Sequence, residues 1–385
     1  MYLPRKGRSS KCEAQMSLIR LTIENVRNLS SASLAIHPRL NIITGRNGSG
    51  KTSLLEAVYV LGRAKSFRDV NISNAIATGE KSARVTGVIE TAWDSLARQT
   101  HVGIQWDRSG DRQVRMDGET VRRSSELSDA LPLTYIGLQE TRLLAEPPQQ
   151  RRKFLDWALF HVEQRYREVW LRFERALKQR NAILKRRRQL VTPSEVEVWN
   201  KELVFGAEIL NAARCNFLEP LEDRFRHHLQ LLTEQDCGAY TLDYRPGWDE
   251  AMSNFQALTE SRLRQDAERG FTQFGPHRAD FVVCRGGRSL QQYGSAGEQK
   301  IAACALYLAQ WDEFRRRTGR QGLILIDDMA AELDERRRKV FFRLLLSLSV
   351  QVFVTATEAE LLESTLDDSN AAESARFHVE HGQVS

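Results

Sequence analysis

Alternating apolar and polar positions at the start of the chain predict a β-rich N-terminal region. Residues 18–26 alternate as a half-buried strand does, and residues 34–43 predict a second strand. Residues 83–106 predict two more strands, and residues 114–121 predict a hairpin because their Asp-Gly pair accepts the positive φ angles of a tight turn. Residues 52–61 have helical spacing and supply the one helix expected in this region.

The middle of the chain changes to a helical pattern. Apolar residues keep a 4-3 spacing from residue 155 to residue 183, broken only at Arg180, and predict one long helix. Pro193 ends it, because proline lacks an amide proton and restricts the residue before it. The same spacing over residues 196–217 predicts a second helix. We therefore expect an antiparallel helical hairpin that forms a short α-helical lobe.

Helix and strand patterns alternate in the last third of the chain. Residues 323–326 form a short apolar run followed by two aspartates, which is typical of a fully buried strand. The other elements predicted here are strands at 279–284, 350–355 and 376–379 and helices at 296–316 and 335–346. The whole pattern predicts an α/β fold with an inserted helical lobe.

Composition excludes several classes of protein. The 385 residues are 41% hydrophobic and 28% charged, which is ordinary for a globular chain and argues against disorder or a collagen-like repeat. The longest apolar run, residues 301–309, is too short for a membrane span of about 20 residues. The five cysteines lack zinc-ligand spacing, and reduced thiols fit a cytoplasmic protein. We expect residues 1–15 to form a flexible tail.

Positive charge is concentrated in the helical lobe. The net charge is +6, and between Arg151 and Arg188 there are thirteen Lys and Arg against four Asp and Glu. This stretch is either a solvated helical face or a nucleic-acid surface, and charge alone leaves both open.

A phosphate-binding loop pattern, G-x4-G-K-S/T, follows the predicted strand that ends at residue 43 and precedes the first helix. Backbone amides of such a loop converge on phosphates, and the helix N-terminus adds a favourable field. Lys51 would reach the β- and γ-phosphates, and the Thr52 hydroxyl would bind Mg²⁺. The candidate nucleotide-binding residues are Gly45, Arg46, Asn47, Gly48, Ser49, Gly50, Lys51 and Thr52.

The two aspartates after the buried strand are the expected partners of that loop. Asp327 would hold Mg²⁺ through water, and Asp328 would orient or polarise the attacking water. The candidate catalytic residues are therefore Lys51, Asp327 and Asp328, and the candidate metal-binding residues are Thr52 and Asp327.

A third segment, residues 295–300, opens the helix before the aspartate strand and resembles an ABC-type signature loop. In that loop a serine and a helix N-terminus bind the γ-phosphate of the opposite subunit's nucleotide. Ser295 and Gly297 are therefore candidate nucleotide contacts, and the implied assembly is an ATP-sandwiched dimer. An ordinary helix cap explains the same residues and remains the alternative.

In this order the motifs resemble the RecF family of recombination-mediator ATPases, related to SMC proteins, over residues 16–385. The segments that carry the resemblance are residues 21–28 (LTIENVRN), 62–68 (GRAKSFR), 151–156 (RRKFLD), 275–280 (GPHRAD), 327–328 (DD) and 332–334 (ELD). Two departures stand out: Gly294 occupies a position that usually holds leucine, and residues 355–357 (TAT) stand where transporter ATPases have a switch histidine.

The resemblance implies an ABC/SMC-type P-loop ATPase head with an inserted mostly α-helical lobe. The domains would be a tail at 1–15, the N-terminal part of the ATPase domain at 16–148, the helical lobe at 149–270 and the C-terminal part of the ATPase domain at 271–385.

The implied function is an ATP- and Mg²⁺-dependent protein that binds double-stranded and gapped DNA as an ATP-sandwiched homodimer. It would be a weak, DNA-stimulated ATPase and would promote RecA loading with RecO and RecR in gap repair and the SOS response, in the cytoplasm and without a membrane partner. Two alternatives remain, an ABC transporter subunit and an SMC-like structural DNA clamp. The missing histidine disfavours the first, and the short helices disfavour the second.

Overall fold

The computed structural model describes residues 15–93, 96–187, 191–249, 255–328, 333–357 and 373–385. Nearly all of the predicted tail therefore lies outside the described residues. The strands are β1 (Gln15–Val26), β2 (Leu29–Ala35), β3 (Leu40–Thr44), β4 (Ser82–Trp93), β5 (Leu96–Asp107), β6 (Arg112–Met116), β7 (Glu119–Thr120), β8 (Leu133–Ile136), β9 (Tyr240–Arg245), β10 (Asp280–Arg285), β11 (Arg288–Ser289), β12 (Leu323–Ile326), β13 (Gln351–Ala356), β14 (Ser374–Glu380) and β15 (Gln383–Val384). The helices are α1 (Lys51–Arg63), α2 (Ser124–Ala130), α3 (Pro148–Val162), α4 (Tyr166–Arg187), α5 (Pro193–Thr233), α6 (Phe255–Ser261), α7 (Leu263–Arg269), α8 (Leu290–Tyr293), α9 (Ala296–Thr318) and α10 (Glu335–Ser347).

The chain divides into two compact units. The first contains residues 1–140 and 315–385, and the second contains residues 141–314. The predicted domain boundaries at residues 148 and 270 stay a prediction. Within the described part of the chain, no helix is long and apolar enough to cross a membrane.

Two six-stranded sheets form the first unit. One is antiparallel, in the order β2-β1-β4-β5-β6-β7, and the other has the order β15-β14-β3-β13-β12-β8 with its five longer strands parallel. Helix α1 packs against both sheets, and ten of its 13 residues are buried. Burial on nearly every side explains why its sequence is apolar beyond one stripe. The parallel strands bring the residues after β3, β12 and β13 to one edge of the sheet.

The prediction of a single strand over residues 34–43 is wrong, because β2 ends at Ala35 and β3 begins at Leu40. Pro38 has no amide proton to donate to a strand ladder. The Asn41 side chain accepts from His37 N and donates to His37 O, each at 2.8 Å, which stabilises a turn there.

The second unit contains helices α3–α8, most of α9 and the antiparallel sheet β11-β10-β9. The prediction of one helix over residues 155–183 is wrong, because α3 ends at Val162 and α4 begins at Tyr166. The Tyr166 hydroxyl donates to Asp156 Oδ1 at 2.6 Å. A continuous helix would hold these two residues about 15 Å apart, so the contact requires the chain to bend.

Ion pairs hold two of the family-like segments of this unit together. Arg151, which is buried, donates to both carboxylate oxygens of Asp280 at 2.7 and 2.9 Å. Arg214 donates to Asp156 Oδ1 at 2.8 Å and to Pro276 O at 2.7 Å. The RRKFLD and GPHRAD segments are therefore parts of one buried network.

Candidate functional site

The phosphate-binding loop lies between β3 and α1, as the sequence predicts. Gly45, at the end of β3, has φ 149°, and a Cβ there would lie 2.2 Å from Val379 O. Only glycine fits this position without moving the neighbouring strand β14. The loop is thus held against the sheet by close backbone packing.

Lys51 lies inside this loop rather than in solvent. Its ammonium donates to Gly45 O at 2.7 Å and to Arg46 O at 3.1 Å, and the residue is buried. The buried Ser49 Oγ has no hydrogen-bond partner among the described residues. A buried polar atom without a partner is uncommon, and an incoming phosphate oxygen would satisfy it.

Two residues that our sequence analysis did not assign to the site support the loop from behind. Asn28 Nδ2 donates to Ser49 O at 2.8 Å, and Asn28 Oδ1 accepts from Ser53 Oγ at 2.9 Å. Arg27 makes a two-pronged ion pair with Glu56, both contacts at 2.9 Å, and Glu56 is fully buried in α1. Both residues belong to the 21–28 segment, which the family resemblance singled out without giving it a role.

Asp327 follows β12 and is held by three hydroxyl groups. Its Oδ1 accepts from Thr52 Oγ1 at 3.2 Å and from Thr355 Oγ1 at 2.8 Å, and its Oδ2 accepts from the Tyr135 hydroxyl at 3.1 Å. Burial, and then the charge of Asp327, raise the pKa of Tyr135, so its phenol remains a donor. The carboxylate is therefore fixed in orientation beside the first turn of α1.

Asp328 adopts a left-handed backbone conformation with φ 52°. Its amide donates to Thr355 Oγ1 at 2.9 Å, so a single threonine hydroxyl contacts both aspartates. The sequence analysis assigned no role to Thr355. The physical signal was available, since Thr355 lies near the end of an apolar strand at the same sheet edge.

These residues surround one cleft of about 650 Å³. Its lining consists of Arg27, Asn28, Asn47, Gly48, Gly50, Lys51, Thr52, Ser53, Arg68, Tyr135, Leu138, Asp327 and Asp328. The structure thus brings the predicted loop and both predicted aspartates to one site. A cleft of this size suits a nucleotide.

The site offers Mg²⁺ the oxygen ligands that this ion prefers. Thr52 Oγ1 and Asp327 Oδ1 lie 3.2 Å apart, so both could take part in holding one ion, with water completing its coordination. No cluster of three or more His, Cys, Asp or Glu suited to a metal occurs in the described ranges. A metal held here would therefore depend on nucleotide phosphates and water as well.

Ser295 and Gly297 belong to the second unit, at the start of α9. Ser295 N donates to Glu298 Oε2 at 2.8 Å, and Glu298 N donates to Ser295 Oγ at 3.2 Å, which is a capping box. These bonds lower the pKa of Glu298. A Cβ at Gly294 would lie 2.7 Å from Leu290 O, which explains glycine where the family usually has leucine. Ser295 therefore has a structural role, and its nucleotide role stays a prediction.

The basic stretch of the second unit divides into buried and exposed residues. Arg180 is fully buried and pairs with Asp266 at 2.7 Å, and Arg151 is buried against Asp280. These arginines belong neither to a solvated face nor to a nucleic-acid surface. The basic residues that remain exposed include Lys153, Arg165, Arg172, Arg175, Lys178, Lys185 and Arg186.

Comparison with known proteins first defines the class. The profile of the RecF/RecN/SMC N terminal domain family matches residues 17–377. With the two sheets around α1 and the phosphate-binding loop, this match defines a P-loop ATPase head of the RecF/RecN/SMC class.

Individual relatives narrow that class. The DNA replication and repair protein RecF of Pseudomonas aeruginosa (strain LESB58) is 38% identical over 370 residues, which cover 96% of this chain and 98% of that protein. The protein of the same name from Azotobacter vinelandii is 39% identical over 370 residues, with the same coverage. The chain belongs to the RecF family, as the sequence motifs predict.

Solved structures confirm the predicted fold class. The structure of the recombination mediator protein RecF-ATPrS in the RecFOR pathway has a TM-score of 0.83 at 23% identity, covering 97% of this chain and 99% of that one. An Smc head domain with an extended coiled coil from Pyrococcus furiosus has a TM-score of 0.56 at 15% identity, with coverages of 96% and 95%.

Proposed function

We propose that the protein is an ATP-dependent DNA-binding protein that acts in replication and repair as its RecF relatives do. The observation that carries the proposal is the convergence of Lys51, Thr52 and Asp327 on one cleft, which phosphoryl transfer from ATP requires. The name of the relatives, DNA replication and repair protein RecF, supports DNA as the partner.

Each residue of the cleft has a separate task in this proposal. The Lys51 ammonium binds the β- and γ-phosphates, next to the carbonyls it contacts now. Thr52 and Asp327 would hold Mg²⁺, the carboxylate through water, and an ion held there would supply positive charge beside the phosphates. Tyr135 fixes the orientation of Asp327. Asp328 orients the attacking water. We expect hydrolysis to be slow and to act as a timer, because it would open the dimer and release DNA.

ATP binding would close a homodimer through the segment at Ser295. No atom of the described residues lies within 4 Å of a Cβ placed at Gly297, although glycine weakens the first turn of a helix. Packing within the subunit therefore does not require glycine there. A helix N-terminus with free space beside its backbone leaves room for the γ-phosphate of the ATP that the partner subunit binds.

We further propose that the closed dimer binds duplex or gapped DNA and promotes RecA loading with RecO and RecR. The solved relative is described as a recombination mediator of the RecFOR pathway, and this description supports RecO and RecR as the partners. DNA contacts would be mainly to phosphates, hence salt-dependent and little affected by base sequence. A protein with this role would work in the cytoplasm and contribute to the SOS response.

The proposal is tested by ATP hydrolysis of the purified protein with and without gapped duplex DNA. We expect slow basal turnover that DNA accelerates severalfold, with the acceleration lost as salt is raised. A rate of ATP hydrolysis that DNA does not change at any salt concentration would contradict a DNA-linked ATPase and favour the transporter alternative.

Replacing Ser295 with alanine should weaken ATP-induced dimerisation while ATP binding by the monomer survives. The change also removes a helix cap, which typically destabilises by about 1 kcal/mol. Thr192→Ala is the matched control, because Thr192 makes the same capping box with Glu195 at the start of α5. Sedimentation with ATP compares the dimerisation of the two variants. Equal dimerisation in both would mean that Ser295 acts only as a helix cap.

A further inference from the structure

The antiparallel sheet of the first unit has a groove on the face turned away from α1. Leu61 of α1 approaches the sheet at Gly87, where a Cβ would lie 2.4 Å from its side chain, so a side chain at position 87 would point to the inner face, although the Gly87 backbone also lines the groove. On the opposite face a groove of about 260 Å³ crosses β1, β4, β5 and β6. The nucleotide cleft involves none of its lining residues.

The side chains that line this groove are basic, hydroxylic or apolar. Arg20, His101 and Arg115 line it together with the hydroxyls of Thr22 and Thr86, and among the described residues the lining contains no carboxylate. Both arginines are exposed, and neither has an ion-pair partner within the described ranges. The groove is therefore suited to an anion.

The width of the basic region suits an extended anion. Arg20 lies on β1 and Arg115 on β6, with β4 and β5 between them in the sheet. Three strand spacings separate the two strands by about 14 Å. A phosphodiester chain carries a charge every few ångströms and therefore offers a separate phosphate to each arginine across that width.

Gly103 lies in the floor of the groove, and the fold does not explain it. The β4–β5 ladder runs past it without a bulge, pairing it with Thr86. Among the residues that the structure describes, a Cβ there would meet only Thr86 Cγ2, at an ordinary 3.5 Å. Glycine within a strand is destabilising by roughly 0.5–1 kcal/mol relative to alanine, and it often marks the close approach of a ligand. Gly87, by contrast, is explained by its contact with Leu61.

We propose that this groove, defined by Arg20, Thr22, Thr86, Gly103 and Arg115, is a contact surface for the phosphodiester backbone of duplex DNA. The guanidinium groups bind phosphates, the threonine hydroxyls donate to phosphate oxygens, and Gly103 leaves room for the backbone to approach. The inference rests on the proposed function and specifies a surface that the basic stretch of the helical unit does not include.

The test is duplex-DNA binding by the full-length protein with ATP and Mg²⁺, measured by fluorescence anisotropy between 50 and 200 mM salt. Arg20→Gln and Arg115→Gln should each make the slope of log K against log salt shallower by about one. Arg98→Gln is the control, because Arg98 is an exposed arginine of β5 outside the groove lining. It should leave the slope nearly unchanged.

Gly103→Val separates a binding role from a structural one. A β-branched side chain favours the strand, so the variant should melt at or above the wild-type temperature and yet bind DNA on the order of tenfold more weakly. Gln105→Val adds the same side chain on the same strand face outside the lining and should bind normally. If Gly103→Val does not fold, Gly103→Ala and the arginine variants decide the question.

Each outcome has a distinct meaning. Wild-type protein that fails to bind duplex DNA contradicts the proposed function and this inference with it. Wild-type protein that binds, together with groove variants that bind with unchanged affinity and salt slope, contradicts the inference alone.

Discussion

Lys51→Arg is expected to retain most of the ATP binding and to lose ATP hydrolysis by about 10²–10³-fold, the effect of removing one well-placed transition-state contact. The positive charge remains, but the planar guanidinium of arginine is larger than the ammonium of lysine. The Lys51 ammonium already lies 2.7 Å from Gly45 O, so the larger group does not fit in the same place. Gly45 cannot retreat, since its backbone is packed against Val379. The charge is therefore displaced from the position where the γ-phosphate develops negative charge.

Binding of a fluorescent ATP analogue and phosphate release measure the two properties separately. Lys81→Arg is the matched control, because Lys81 is an exposed lysine of the same unit and its change should affect neither property. Lys51→Ala, which removes the charge, should weaken binding as well. Full hydrolysis by Lys51→Arg would show that Lys51 does not act on the phosphates.

Asp266→Ala is expected to destabilise the second unit by about 3–5 kcal/mol, because it leaves a buried arginine without its partner. Arg180 and Asp266 are both 0% exposed and lie 2.7 Å apart. Asp266 also accepts from the amide of Gln273 at 3.2 Å, so the change frees a backbone donor too. Urea unfolding followed by circular dichroism measures the loss.

Two companion variants make this result specific. Glu197→Ala removes an exposed ion pair with Lys201 and should leave the free energy of unfolding nearly unchanged. Arg180→Met combined with Asp266→Leu should recover much of the loss, since apolar residues often replace a buried ion pair well. An Asp266→Ala protein as stable as wild type would mean that Arg180 is hydrated in solution.

Local signals allowed the sequence to predict several elements of the first unit, including a strand of the candidate site. The run at residues 323–326 is the observed strand β12, and the Asp-Gly pair at residues 117–118 forms the predicted turn with φ 49° and 87°. Such features depend on neighbouring residues, so the sequence displays them directly.

The parts of the site that were missed depend on residues far apart in the chain. Tyr135 lies on β8, a four-residue strand that becomes recognisable only beside β12, almost 200 residues later. Asn28 supports the loop through Ser49 and Ser53, from which it is separated in the chain by β2 and β3. The pattern of apolar and polar residues within one segment does not predict such contacts between distant segments.

Charge counting was misleading for a related reason. Arg151 and Arg180 contribute to the basic stretch of the sequence, yet Asp280 and Asp266 neutralise them inside the second unit. Their partners lie 129 and 86 residues away along the chain. Net charge of a segment therefore overestimates its exposed charge wherever a distant acid is buried against it.

The measurement that tests the central claim most directly is light scattering of the protein with and without ATP and Mg²⁺. Asp328→Asn is used to block turnover, and asparagine is suitable because it tolerates the positive φ of this position. The account predicts that ATP doubles the 44.1 kDa monomer mass and that gapped duplex DNA enhances the shift. A protein that binds ATP and remains monomeric with DNA present would contradict the ATP-sandwiched dimer.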